Sequence, residues 1–147
     1  MTHSAADTQR VAAKFAASLP SGAVVGLIGP LGVGKTTFIQ GMATGLGIDP
    51  NAYVTSPSFA LIHEYNGPKF DLYHFDLYRL TSFEGLVEIG WEDYAARDGI
   101  VVVEWADRFP ELESELTHRV VLRSEENDKR LISIGAGPVA SQLPGCV

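Results

Sequence analysis

A short apolar run, Ala23-Val24-Val25-Gly26-Leu27-Ile28, leads directly into Gly29-Pro30-Leu31-Gly32-Val33-Gly34-Lys35-Thr36, and that succession leaves few folds open. The run reads as a buried strand. Residues 35–46 read as a helix closed by Gly47. The segment between them matches G-x-x-x-x-G-K-S/T, whose spelling has a chemical reason. Glycines let backbone N–H groups converge on phosphate oxygens. The helix that follows aims the positive end of its dipole at the same anion. Lys35 then reaches the outer phosphates, and the Thr36 hydroxyl is placed to ligate magnesium. A strand before and a helix after are the context this motif requires.

The rest of the chain is read around this element. Val11, Phe15 and Leu19 recur at helical spacing, so residues 11–19 predict an amphipathic helix with Asp7 as its N-cap, stopped by Pro20-Ser21-Gly22. Residues 53–59 are rich in hydroxyls and contain Pro57, which predicts a loop running into a strand. Residues 60–65 and 70–77 read as strands joined by a turn at Asn66-Gly67-Pro68-Lys69. Residues 83–96 predict one helix. The run Ile100-Val101-Val102-Val103 is another buried strand, ending in Glu104-Trp105. Residues 118–123 and 129–134 predict a second hairpin, and the stretch from Gly135 reads as a frayed tail. Strands alternating with helices, with two hairpins added, predict an α/β three-layer sandwich on a mixed, partly antiparallel sheet. One domain over residues 1–135 and a tail over 136–147 is the expected organisation for 147 residues.

Composition narrows the function. The formal net charge is −7, whereas a chain gripping nucleic acid by itself needs a basic face to neutralise phosphate. No apolar run reaches the roughly 20 residues of a membrane helix. The single cysteine, Cys146, permits no internal disulfide, and a cytoplasmic location without membrane attachment is expected.

A phosphate loop of this kind needs a carboxylate near its metal, at the end of a neighbouring strand. Two residues fit. Glu104 ends the most apolar strand after the loop strand, and Asp76 sits near the end of 70–77. Strand alternation puts His74 on the face of Asp76. The competing readings are a solvated strand-end carboxylate for Glu104 and an ion pair with Arg79 for Asp76. For His74 a structural hydrogen bond is favoured over catalysis. Trp91 and Trp105 read as core residues, with Trp105 the better candidate for a site role because it adjoins Glu104.

Taken together, Gly29 to Phe38, Ser56-Pro57-Ser58-Phe59, His74-Phe75-Asp76-Leu77-Tyr78-Arg79-Leu80 and Glu104-Trp105 resemble the bacterial TsaE family, the ATPase subunit of the machinery that makes threonylcarbamoyladenosine on tRNA. The resemblance spans residues 5–135, and the His-Phe-Asp-Leu-Tyr-Arg and Glu-Trp segments are its most specific parts. It implies that ATP and Mg2+ are the cofactors, with Gly29, Gly32, Val33, Gly34, Lys35, Thr36 and Thr37 around the phosphates. It further implies Thr36 and Glu104 as metal ligands, Asp76 and Lys35 in catalysis, 55–59 as a switch-like loop, and Thr8 and Arg130 near the adenine. Ser58 replaces a threonine common in relatives and keeps its hydroxyl. The implied partners are the threonylcarbamoyl transferase and its inactive paralogue, with tRNA reached only through that complex. Other P-loop classes remain as alternatives. A regulatory GTPase would carry N-K-x-D and D-x-x-G, and neither occurs. An autonomous small-molecule kinase would carry an arginine-bearing lid insertion to exclude water, and none is evident. A nucleotide-switched assembly factor overlaps the family role.

Overall fold

The computed structural model describes residues 2–30, 34–49, 62–127 and 129–137. Its centre is a six-stranded sheet in the order β2-β3-β4-β1-β5-β6, formed by β1 (Val24–Ile28), β2 (Ile62–Tyr65), β3 (Asp71–Asp76), β4 (Gly99–Glu104), β5 (His118–Ser124) and β6 (Arg130–Ala136). The four inner strands β3, β4, β1 and β5 are parallel, and each edge is an antiparallel hairpin partner. The mixed sheet expected from the sequence is thus observed. The near-continuous apolar runs of β1 and β4 follow from burial on both faces.

Alternation along the strands divides the core. Val25, Leu27, Leu72, Ile100, Val102 and Val120 pack beneath α1 (Ala5–Ala17) and α2 (Lys35–Gly45). Val24, Tyr73, Phe75, Val101 and Val103 pack on the other face. That face is covered by α3 (Phe83–Glu88), α4 (Trp91–Ala96), a 3-10 turn at Ala106–Arg108, and α5 (Pro110–Glu113). The helices α1 and α2 touch backbone to backbone: a Cβ on Gly41 would lie 2.5 Å from the Gln9 carbonyl, and one on Gly45 would collide with Ala13. The alanines of α1 serve the same close approach, with Ala12 and Ala16 fully buried.

Several local expectations are corrected. The N-cap of α1 is Ser4, whose hydroxyl accepts from the Asp7 N–H at 3.1 Å. Asp7 sits in the first turn, where its charge suits the dipole. The single helix expected over 83–96 is two, because Gly90 adopts φ +97 between α3 and α4 and a left-handed residue ends an α-helix. Pro110 starts α5 at its first position, a signal outweighed in the sequence by the helix's single turn. The hairpin of β5 and β6 turns at Asn127, φ +61. Its ladder runs on to Ala136 opposite His118, beyond the expected end at 134.

Candidate nucleotide site

Strand β1 ends with Ile28 at the carboxyl end of the sheet, and α2 begins at Lys35. Gly34 is the N-cap of α2 with φ +105, backbone that glycine adopts without a steric penalty. It has no side chain with which to cap, and the first turn of α2 holds no acidic residue. The positive dipole end of α2 is therefore not offset by a capping side chain or by an acidic residue in its first turn, a setting that favours an anion.

Lys35 is buried at the head of α2. Its ammonium donates to the Gly29 carbonyl at 2.7 Å and lies 3.5 Å from the centre of the Trp105 ring, within cation–π range. Burial lowers its pKa, while Glu104, Asp76 and Asp107 act in the opposite direction. Trp105 reaches this position through a left-handed backbone, φ +63, rare for a bulky residue. Its N–H donates to Leu27 of β1 at 3.2 Å, and Tyr78 stacks on its ring with 5.2 Å between centres.

Register supplies the carboxylates. In the parallel pair β3–β4, Asp76 lies opposite Glu104 and His74 opposite Val102. All four share the face covered by α1 and α2, since Leu72, Ile100 and Val102 alternate into that core. Glu104 is 3% exposed, so the solvated reading is excluded. Its Oε2 lies 2.7 Å from Nε2 of fully buried His74. Asp76 accepts from the Tyr78 N–H at 3.0 Å. Burial raises the Asp76 pKa, opposed by the Tyr78 hydrogen bond; the Glu104 charge raises it further, against His74 and Lys35.

A second group of residues forms a cavity of about 220 Å³ lined by His3, Ser4, Ala5, Thr8, Gly34, Thr37 and Arg130. It is built by an unexpected contact. Thr2 and Arg130 exchange backbone hydrogen bonds at 2.8 Å, pinning the chain start to β6. The Thr2 and Thr8 hydroxyls then meet at 2.8 Å, which seats the start of α1 beside the head of α2.

The structure therefore brings together Lys35, Asp76 and Glu104 in one place, and Thr8, Gly34, Thr37 and Arg130 in another that shares Gly34's helix start. Thr36 stands in the first turn of α2. Gly32, Val33 and the expected switch loop 55–59 lie outside the described residues. The His74–Glu104 bond, the Trp105–Lys35 contact and the part of His3 and Ser4 were missed. Strand register and the docking of the chain start set them, and neither leaves a local pattern.

The donor set suits Mg2+. Among the described residues no trio of His, Cys, Asp or Glu is grouped to hold a metal, as a caging site for zinc or calcium would require. Mg2+ takes one or two protein oxygens and completes its shell with water and phosphate. Thr36 and the buried Glu104 at the carboxyl end of β4 are hard oxygen donors of that kind.

The family model described as "Threonylcarbamoyl adenosine biosynthesis protein TsaE" matches residues 2–132. The chain belongs to the TsaE family. It is similar to the tRNA threonylcarbamoyladenosine biosynthesis protein TsaE of Treponema pallidum, 38% identical over 91% of this chain and 97% of that one. The protein of the same name from Bacillus subtilis is 37% identical over 88% of this chain and 80% of that one. Among solved structures, Bacillus subtilis YdiB superposes with a TM-score of 0.71 at 34% identity, covering 92% of this chain and 82% of that one. The P-loop NTPase-like fold of this TsaE chain is thereby shared with a solved structure. Both groups of residues described above, from Thr8 to Arg130, fall inside the TsaE match. No described helix is long and apolar enough to cross a membrane.

Proposed function

We propose that this chain is a magnesium-dependent ATP-binding and hydrolysing subunit for threonylcarbamoyl modification of adenosine in tRNA, driving assembly or turnover of a partner transferase complex. One observation carries the chemical part: a buried Lys35 at the head of the phosphate-loop helix sits within the field of two strand-end carboxylates, Asp76 and Glu104.

Lys35 exchanges the Gly29 carbonyl for phosphate oxygens, a better partner for an ammonium. The positive dipole end at the start of α2 adds to the same grip. Thr8, Thr37 and Arg130 line the cavity that would take the nucleoside. Thr36 and Glu104 would hold Mg2+, which supplies charge neutralisation at the phosphates. Asp76, buried beside Glu104 and held by the Tyr78 N–H, orients a water for attack; its raised pKa suits a group that accepts a proton transiently.

The family role supports the partners: a threonylcarbamoyl transferase and its inactive paralogue, with tRNA reached through them. The acidic net charge of −7 supports the indirect route to tRNA.

The test is calorimetry of ATP binding across a magnesium series, with Thr36→Ala, Glu104→Ala and the double variant. Both single changes should weaken magnesium-dependent binding. Because one ion is shared, the losses should fall short of additivity. Full additivity would place Glu104 outside the metal shell.

A further inference from the structure

His74 is fully buried on β3, across from Val102 and His63 and flanked along its own face by Leu72 and Asp76. A leucine or phenylalanine would fill such a position with no polar atom to satisfy. Instead the imidazole makes one hydrogen bond, from Nε2 to Glu104 Oε2 at 2.7 Å, and its Nδ1 has no hydrogen-bond partner among the described residues. A buried polar atom without a partner costs stability. What the residue supplies against this cost is its hydrogen bond to Glu104.

We infer that His74 is the positioning residue for Glu104, locking the carboxylate in the orientation that receives the metal ion. The inference rests on the reading above that Glu104 ligates Mg2+. A carboxylate accepts and does not donate, so the bond requires the proton on Nε2. A charge-assisted bond of this length is strong and directional. Fixing Oε2 sets the twist of the whole carboxyl group, and with it the direction from which an ion is met. The backbone that carries the ring is held on both sides, paired antiparallel with β2 and parallel with β4, His63 and Val102 being its register partners. The arrangement parallels Asp76, two residues on, whose Oδ1 is fixed by the Tyr78 N–H. Both strand-end carboxylates are thus oriented by β3 or by the chain just after it. Outer partners of this type are worth roughly 10–100-fold in metal affinity.

The experiment compares the full chain with His74→Leu, His74→Gln, His74→Asn and Glu104→Gln. Three quantities are read: Mg2+ affinity of the ATP-bound protein by calorimetry, ATP affinity in EDTA, and the thermal midpoint. His74→Leu should weaken Mg2+ by at least about tenfold while leaving ATP affinity in EDTA within about twofold. His74→Gln places an amide N–H near the Nε2 position and should recover most of the loss; His74→Asn, too short to reach, should not. Should the leucine variant fail to fold, the contrast between glutamine and asparagine decides alone. Wild-type Mg2+ affinity in His74→Leu, or in His74→Asn if the leucine variant does not fold, overturns the inference. So does an equal loss in glutamine and asparagine that tracks the thermal midpoint and the EDTA affinity. If Glu104→Gln itself leaves Mg2+ affinity untouched, Glu104 is no ligand, and the underlying reading fails along with the inference. A loss in Glu104→Gln with none in His74→Leu, or in its asparagine substitute, sinks the inference alone.

Discussion

Lys35 is held by two partners, the Gly29 carbonyl and the Trp105 ring. Both are weaker matches for an ammonium than a polyphosphate. Lys35→Ala should therefore lower ATP affinity by about 2 kcal/mol, roughly thirtyfold, with far-UV circular dichroism unchanged. Undiminished affinity would remove the phosphate role. The ring contact gives an optical consequence. Moving a cation away from Trp105 should change its fluorescence when ATP binds. Trp91 is fully buried in the core and donates to Glu115 at 3.2 Å, so it contributes a constant background. The ATP-induced change should vanish in Trp105→Phe; persistence there would mean that the signal, and the lysine movement it reports, lie elsewhere. These residue-scale features were partly legible in the sequence. The motif marks Lys35 and Thr36, and strand ends mark Asp76 and Glu104, because each is encoded within a few neighbours. The partner of His74 was not legible. Glu104 is 30 residues away, and the register that joins them is decided by the packing of the sheet.

The close contact of α1 with α2 sets how α2 lies against its neighbour. Adding a Cβ at Gly41 brings it to 2.5 Å from the Gln9 carbonyl and 2.7 Å from the Ala12 Cβ. Alanine gains about 1 kcal/mol of helix propensity, but overpacking of this severity costs about 1–3 kcal/mol. Gly41→Ala should thus destabilise by about 1 kcal/mol in urea unfolding, and Gly41→Leu by clearly more; a stabilised alanine variant would mean that the helices part freely. The same layer contains a titrating group. His118 at the start of β5 packs edge-on against Phe15 of α1, with 5.7 Å between ring centres, and burial lowers its pKa. The unfolded chain then binds the proton more readily, so His118 favours the fold at neutral pH and this contribution is lost as pH falls below about 6.5. Replacing His118 with Gln should flatten the stability profile between pH 7 and 5. An unchanged slope would assign the loss to other groups. Elements with strong local signals, β1, β4, α2 and both hairpins, were readable from pattern. The split of 83–96 was not, because helical periodicity continues through Gly90 and only the observed φ of +97 breaks it. The cap of α1 was misplaced because Ser4 and Asp7 are both good capping types, and the chain start docked on β6 selects Ser4.

At the scale of the molecule, the sheet gathers the head of α2, the carboxylates of Asp76 and Glu104 and the cavity lined by Thr8 and Arg130 at the carboxyl end of its parallel strands, where open α/β sheets bind their ligands. The site contains a lysine and carboxylates, yet the sequence shows no lid insertion and no evident arginine finger. Such a finger accelerates other P-loop enzymes by about 10³–10⁵ and is often supplied by a second protein. If ATP tightens docking, docking must tighten ATP binding by the same factor. The most direct measurement is the steady-state rate of ATP hydrolysis by this chain alone and with the transferase, its paralogue and tRNA together, with Asp76→Asn as the paired control. The account predicts slow turnover alone, a rise of at least about tenfold with the partners, and loss of that rise in Asp76→Asn with ATP binding largely kept. A rate that is the same with and without the partners, or a full rise in Asp76→Asn, would contradict it.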